Sequence, residues 1–335
     1  MRKFVFRLLM AVWFSMLLVA WESLPAAAVD VSRPAAESTK VYMTIVILDM
    51  DGVNSADQSF VANVFFMFRW KDPRLVHQGS SAIIRPLDAV WNPKIQIINQ
   101  QKIWLTFPKN VAIAPDGEVT YRQRAWGSFS QPLALHDFPF DKHRFSIHMV
   151  AIDSTPDQIE IVLDTKQENG IVEKTSVADW EILEWKTDRK PYQPIPSMNP
   201  RAGYLFSFEA ERKTGYFLAK VIIPLILIVA MSWVVFWIDP MESGTQISVA
   251  ITTMLTLIAY RFAIDTDLPK VSYLTRLDDF ILIATILVYA SLIEVVVTST
   301  FAKNGNLSKA RSIDNWMRWI FPMTFAAVAI KTLVL

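Results

Sequence analysis

The chain has no cysteine among its 335 residues. Without thiols it forms no disulfide bond, no thiolate metal site and no cysteine nucleophile. It also lacks an excess of either charge, because 33 Lys and Arg residues nearly balance 32 Asp and Glu residues, and no long run of one sign occurs. This balance argues against nucleic acid as a partner.

Signatures of catalysis and of cofactor binding are missing as well. The sequence has no phosphate-binding loop, dinucleotide fingerprint or nucleophile elbow. His143 and His148 are an odd number of positions apart, so a continuous strand would point them to opposite faces, which argues against a zinc site with nearby His136. We therefore predict a protein that is not an enzyme and that binds no cofactor and no metal.

Residues 1–28 have the layout of a secretory signal peptide. Arg2, Lys3 and Arg7 precede an apolar run, and small residues follow it at positions 26–28. An uncleaved membrane anchor is the alternative interpretation. If the segment is a signal, the domain that follows is exported, although it folds without disulfides.

Residues 37–212 show the pattern of short strands separated by turn residues. The segment VANVFFMFRW alternates, so Phe65 points away from one continuous apolar face. That face consists of Ala62, Val64, Phe66, Phe68 and Trp70. The segments RFSIHMVA and YLFSFEAER alternate in the same way. The pattern predicts an antiparallel β-sandwich.

Four apolar segments follow and predict a transmembrane domain at residues 213–335. The helices are expected at about residues 216–238, 245–264, 280–300 and 316–335. The connection between the third and fourth helices carries Lys303, Lys309 and Arg311, which favours a cytoplasmic location for it. The predicted fold class is a membrane protein with an extracellular antiparallel β-sandwich followed by a four-helix transmembrane bundle.

One acidic residue lies inside the third apolar segment. Glu294 is the lone carboxylate there, and carboxylates at that depth are costly. A single buried acid is more often a structural or modulatory feature than a catalyst. We therefore flag Glu294 as a functional candidate without assigning it a reaction.

The second helix carries an unusual set of residues on one side. Their spacing of four, three, four and three places them on one face of a helix. We call this set the second-helix stripe: Ser248, Thr252, Leu255, Ala259 and Phe262. Around a symmetry axis, the stripes would form hydrated rings with one Leu ring that can gate by dewetting. The alternative is that the hydroxyls bind neighbouring helices.

Several short motifs in order resemble the pentameric ligand-gated ion channels, the family of the Cys-loop receptors and their bacterial relatives. They run from about residue 40 to residue 335: FRWKDPRL, VWNPK, PDGEVTYRQR, FPFDKHRF, ERKTGYFLAKVIIP, ITTMLTLIAY and DLPKVSYLTRLDDF. Lys94 in VWNPK replaces the acid that is usual in the family. The two loop cysteines of the family would fall at Gln131 and Phe145, so their disulfide is absent.

The resemblance implies a homopentamer in which the second helix lines the pore. The missing loop cysteines and the short third connection favour a prokaryotic member. Such a protein would be a multi-pass protein of the bacterial inner membrane, in contact with lipid, with the sandwich in the periplasm. Its partners would be a small extracellular ligand or a proton and the permeant inorganic ions.

The FPFD turn is implied to be the contact between the sandwich and the membrane domain. The resemblance pairs Asp141 with Arg212, and it places Phe138 and Pro139 against the region of Pro269. Such a charge pair at an interface can hold one of two packings, whose balance a ligand then shifts. A solvated acid in a turn is the alternative for Asp141.

The family binds agonists in an aromatic box between subunits. By the resemblance, Phe65 matches the aromatic residue of one face, and Tyr192 and Tyr204 are candidates for the other. The Trp position of the box falls at Ile152 or Asp153, so the box favours weak cation–π binding over a quaternary-ammonium cage. For Tyr192, a loop aromatic that shields the sandwich is an equal alternative.

Ion selectivity is expected to depend on carboxylates at the two ends of the second helix. The resemblance places Thr245 where cation-selective members carry Glu, and the loop has the length of anion-selective members. Glu242 is nevertheless close, and Asp265 and Asp267 flank the outer mouth. Because rings of carboxylates concentrate cations, cation selectivity is favoured. The alternative function is a non-conducting, membrane-anchored sensor that signals to a partner protein.

Overall fold

The computed structural model describes residues 31–34, 38–266 and 268–334. The predicted signal peptide and Asp267 lie outside the described residues. Residues 39–212 form a β-sandwich, and a helical domain begins at Gly215.

The sandwich consists of an eight-stranded and a four-stranded sheet. The first has the order β10-β1-β2-β7-β6-β3, with β5 paired to β7 and β9 to β1, and the second has the order β11-β12-β8-β4. The strands are β1 (Thr39–Asn54), β2 (Ser59–Lys71), β3 (Ile83–Pro86), β4 (Ile95–Ile97), β5 (Gln100–Leu105), β6 (Asn110–Ile113), β7 (Glu118–Ser130), β8 (Lys142–Ala151), β9 (Ile159–Leu163), β10 (Gly170–Ile171), β11 (Trp180–Arg189) and β12 (Ala202–Arg212).

The predicted antiparallel β-sandwich is present, with parallel pairing at one edge. Strands β9 and β10 pair with β1 in parallel, while the other pairings are antiparallel. The chain leaves β8 in the second sheet, crosses to the free edge of β1 and then returns to β11. Because it arrives by a crossover rather than a hairpin, it runs in the same direction as β1.

The alternation predicted for β2 is confirmed by its burial. All five residues assigned to the core face are buried: Ala62, Val64, Phe66, Phe68 and Trp70. The centre of the sandwich is aromatic, because the Phe60 ring lies 5.2 Å from the rings of Phe129 and Phe145. These contacts join the two sheets around one core.

Four helices form the membrane domain. They are α1 (Gly215–Trp237), α2 (Ser243–Ile264), α3 (Arg276–Lys303) and α4 (Leu307–Leu333). Among the described residues, three segments are long and apolar enough to cross a membrane: Gly215–Trp237, Pro240–Ile264 and Arg276–Lys303. Helix α4 begins nine residues before the position that was predicted, because its first turns are charged and carry no apolar signal.

Helix α1 has an irregular first part. Residues Leu218–Ile222 form a wider π-helical turn, two residues before Pro224. Proline has no N–H, so the Lys220 carbonyl has no donor four residues further along the chain. The Tyr260 hydroxyl of α2 lies 2.6 Å from the Val221 carbonyl and 3.4 Å from that of Lys220. The irregular turn is therefore tied to the neighbouring helix.

Candidate functional site

The second-helix stripe is the exposed side of α2 in the single chain. All five of its residues are exposed, with Leu255 at 60% and Phe262 at 77%. The opposite side of the helix packs against the rest of the domain and includes Gln246, Ala250, Thr253, Leu257 and Ile264. The stripe is thus free to face another subunit or an aqueous path.

The Thr252 hydroxyl of the stripe bonds within its own helix. It donates to the Ser248 carbonyl at 2.7 Å, and Thr256, beside the stripe, donates to the Thr252 carbonyl at 2.8 Å. This pattern satisfies the hydroxyl donor and leaves oxygen lone pairs on the helix surface. The alternative that Thr252 bonds to a neighbouring helix of the same chain is therefore not what the structure shows.

The inner end of α2 presents Glu242 and Thr245 to solvent. Asp239, just before them, is engaged differently. Its carboxylate accepts from the Met241 amide at 2.9 Å and from Arg311 of α4 at 2.8 Å. The α1–α2 loop itself contains no Lys or Arg. Arg311, which is distant in the sequence, nevertheless pairs with the negative charge of Asp239.

The outer end of α2 is less acidic than its sequence suggests. Asp265 is exposed and lies 3.9 Å from the Lys270 ammonium group. Arg261, in the last turn of the helix, is also exposed. Both cations dilute the negative potential expected at this mouth, and Asp267 lies outside the described residues.

The predicted pair of Asp141 and Arg212 is present and buried. The Arg212 Nε and Nη2 atoms donate to the two Asp141 oxygens at 2.8 and 3.0 Å. His143, which the sequence did not point to, lies 2.7 Å from the same carboxylate. Burial acts to raise the pKa of Asp141, but the hydrogen bonds from His143 and Arg212 and the Arg212 charge lower it to about 2.

Two aromatic rings hold the Arg212 guanidinium. Its central carbon lies 4.3 Å from the Trp180 ring and 4.9 Å from the Phe138 ring. Phe138 also contacts Phe217 at the start of α1, with 4.8 Å between ring centroids. The buried ion pair is therefore joined directly to the first membrane helix.

The FPFD turn also meets the beginning of α3. The amide of Leu277 donates to the Phe138 carbonyl at 3.2 Å, and the amide of Arg276 donates to the His136 carbonyl at 2.9 Å. The rings of Tyr273 and His136 meet edge to face, with 4.1 Å between their centroids. The resemblance placed the contact of this turn at Pro269. The contacts above instead involve the C-terminal end of the α2–α3 linker and the first residues of α3.

The three ligand candidates lie in different surroundings. Phe65 is half-buried on the outer face of the first sheet, beside an open depression of about 700 Å³. Tyr192 covers the second sheet, with its ring 5.5 Å from that of His148. Tyr204 is 5% exposed in the core, and its hydroxyl lies 3.1 Å from Thr187. The prediction for Tyr204 is therefore wrong, because it shares the core parity of Phe206.

Comparison with known proteins bears on this geometry. Residues 29–214 match the neurotransmitter-gated ion-channel ligand binding domain, and residues 221–309 match the transmembrane region of the same channels. The chain belongs to the neurotransmitter-gated ion-channel family. The resemblance carried by the ordered motifs is thus confirmed. The family consists of ligand-gated ion channels rather than enzymes, with an extracellular ligand-binding domain and a transmembrane domain.

Relatives include bacterial and animal proteins. A proton-gated ion channel of Gloeobacter violaceus is 23% identical over 313 residues, which is 91% of this chain and 86% of that relative. The gamma-aminobutyric acid receptor subunit alpha-2 of Rattus norvegicus and of Homo sapiens is 25% identical over 288 residues. That match covers 83% of this chain but 63% of the receptor subunit, less than two thirds of its length.

Proposed function

We propose that the chain forms a homopentameric, cation-selective channel in which α2 lines the pore. The observation that carries this proposal is the second-helix stripe, which is exposed on a helix whose other side is packed. One helix encloses no path for ions. Several copies around an axis would place Leu255 in a ring that excludes water and the hydroxyls of Ser248 and Thr252 in hydrated rings.

The agonist is proposed to bind between subunits. Phe65 lies on the first sheet, and Tyr192 lies in the β11–β12 connection that covers the second, so a pocket that contains both would be assembled from neighbouring chains. A small ligand or a proton would act there. The bacterial relative named as a proton-gated channel supports the proton. The His148 beside Tyr192 is a titratable group at this position, although burial lowers its pKa.

Gating is proposed to pass through the contact of Asp141, Arg212 and Phe138 with α1 and α3. The ion pair holds the base of the sandwich, and the FPFD turn touches the starts of both helices. A ligand that favours a different packing of this contact would shift the population of the open pore. The periplasmic face of a bacterial inner membrane is the proposed location of the sandwich.

Cation selectivity is proposed to depend mainly on Glu242. It is the exposed carboxylate at the inner end of α2, whereas Asp239 is paired with Arg311 and Asp265 lies near Lys270. A ring of such carboxylates raises the local concentration of cations. The outer mouth contributes less because Arg261 and Lys270 lie near Asp265.

The decisive experiment is the substitution Leu255→Ser, read as current across an oocyte membrane or planar bilayer. The stimuli are a fall in external pH and then a panel of small amines. We expect a resting leak, or opening at a weaker stimulus, because a hydroxyl wets the constriction. Leu227→Ser is the matched control, since Leu227 on α1 is 61% exposed and Leu255 is 60% exposed.

The same pair of variants separates the channel from a non-conducting sensor. A wild-type chain that is silent while Leu255→Ser leaks is a channel whose agonist was missing from the panel. Silence of both, with protein present as a pentamer at the surface, would contradict the pore proposal and favour the sensor. An equal leak from Leu227→Ser would contradict the proposal that Leu255 forms the gate.

A further inference from the structure

Two acidic side chains meet inside the membrane domain. Glu294 on α3 and Asp314 on α4 face each other within hydrogen-bonding reach, and we call them the carboxyl pair. The carboxylate oxygens of both residues are buried, and Asp314 is 1% exposed. None of the proposed steps of gating or conduction uses these groups.

A third polar side chain lies next to Asp314. Gln246 of α2 is fully buried and adjoins Asp314. Its Nε2 atom donates to the Ile238 carbonyl at 2.9 Å. The Oε1 atom of the same amide is buried without a hydrogen-bond partner.

These three side chains bring together five buried acceptor oxygens. Within the described residues, both oxygens of Glu294, both oxygens of Asp314 and Oε1 of Gln246 have no hydrogen-bond donor. Two charged carboxylates in contact would repel each other and would lose their hydration. Such an arrangement is stable only when something with positive charge or an O–H group is added to it.

Neighbouring charges do not supply that donor. Arg318 and Asp239 are the charged residues closest to Asp314. Arg318 donates its Nε to the Phe236 carbonyl at 2.9 Å and lies 4.7 Å from the Trp237 ring, while Asp239 is held by Arg311. Glu242, on the same side of the membrane domain, is exposed.

We propose that the carboxyl pair is a proton-binding site that fastens α2, α3 and α4 together. With two protons, the Glu294 carboxyl donates to Asp314, and the Asp314 carboxyl donates to Oε1 of Gln246. Both carboxyl groups are then neutral, and one continuous chain of hydrogen bonds joins the three helices. With one proton, a buried negative charge remains. The hydrogen bond between Asp314 and Gln246 then competes with the hydrogen bond between Asp314 and Glu294 for that proton. The proposal does not depend on the channel function.

Infrared spectroscopy of the full-length protein in lipid nanodiscs tests the protonation directly. At neutral pH we expect the C=O band of protonated carboxyl groups, which shifts in D₂O. Glu294→Gln should reduce this band, and the control Glu242→Gln, an exposed carboxylate nearby, should leave it unchanged. An unchanged band in Glu294→Gln and in Asp314→Asn would overturn the proposal.

Thermal unfolding provides a second measurement that needs no current. Raising the pH from neutral to alkaline should lower the unfolding temperature of the wild type, because deprotonation leaves a buried negative charge at the carboxyl pair. Glu294→Gln keeps a donor toward Asp314 and should show a smaller loss. An equal decrease of the unfolding temperature in both proteins contradicts the proposal. A decrease of the unfolding temperature at constant pH, when sodium is replaced by a bulky organic cation, also contradicts it, because it would indicate a bound metal ion instead.

Discussion

Asp141 accepts more hydrogen bonds than a turn acid needs. Two donors come from Arg212 and a third contact from His143, while the rings of Trp180 and Phe138 contact the guanidinium. All of this is buried, so the negative charge of Asp141 is what makes the buried positive charge tolerable. The alternative of a solvated acid in a turn is thereby excluded.

Replacing this carboxylate tests the pair. We expect Asp141→Asn to destabilise the protein by roughly 3–5 kcal/mol at neutral pH, because Arg212 is left as an uncompensated buried charge. The pKa of Asp141 is lowered from 3.8 to about 2 in the folded protein. Its stabilising effect is therefore present above pH 3.8 and is lost as the pH falls toward 2. Unfolding measured against pH should show the two proteins converging in acid.

Asp137→Asn is the matched control. Asp137 is 68% exposed and lies 3.6 Å from Arg276, so its loss should cost at most about 1 kcal/mol. Equal destabilisation by the two substitutions, or a difference that persists in acid, would show that the buried charge of Asp141 is not the source of the effect.

At the scale of elements, the irregular turn of α1 depends on a hydroxyl from α2. Tyr260 supplies a donor to carbonyls that Pro224 leaves unsatisfied or displaced. Helix α2 is thus tied to α1, the helix that follows the buried ion pair. Movement of α1 would be transmitted to α2 at this bond.

Tyr260→Phe tests the tie. We expect a loss of roughly 1–3 kcal/mol in stability, since a buried carbonyl loses its donor while the ring is kept. The measurement is the unfolding temperature of the variant in detergent. Tyr289→Phe on α3 is the control, because that residue is 51% exposed. If the two variants unfold at the wild-type temperature, the bond does not hold the turn.

Local periodicity accounts for what the sequence predicts well. Strand β2 has its apolar face buried as predicted, and the α2 stripe lies on the exposed side of its helix. Tyr204 could have been assigned correctly, because it has the same strand parity as Phe206 and Phe208. The parallel edge made by β9 and β10, by contrast, depends on where a crossover lands, and no short pattern encodes that.

Most of the contacts that the sequence did not predict are pairs of residues that are distant in the chain. Arg311 reaches Asp239 across 72 positions, and Asp314 meets Glu294 across two helices. The sequence identified Glu294 as a candidate because a carboxylate in an apolar segment is costly. It did not identify Asp314, because the start of α4 is polar and was predicted to belong to the loop before the helix. The pair of Asp141 and Arg212 came only from the family resemblance.

At the scale of the whole molecule, the pentamer that we propose would make ion selectivity a property of a ring of side chains rather than of one chain. Glu242 would be repeated around the pore axis, so a single substitution removes every copy of the charge. We expect Glu242→Gln to move the reversal potential in asymmetric NaCl away from the sodium equilibrium potential, since the carboxylate ring concentrates cations. Currents through the open channel provide the measurement.

Glu181→Gln is the control for that measurement. Glu181 is an exposed acid on β11 of the sandwich rather than on α2, and its loss should leave the reversal potential unchanged. A wild-type reversal potential at the chloride equilibrium value would refute cation selectivity outright. No change in Glu242→Gln would assign the selectivity to another ring.

Phe65 lies on the first sheet and Tyr192 lies in the connection that covers the second sheet of the same sandwich, which has a consequence for inheritance. In the ring that we propose, each chain contributes half of two neighbouring sites. A chain damaged in one half spoils one site, and a chain damaged in both halves spoils two. Two differently damaged chains, each inactive alone, would rebuild an intact site wherever their sound halves meet. Such alleles would complement each other within a single oligomer.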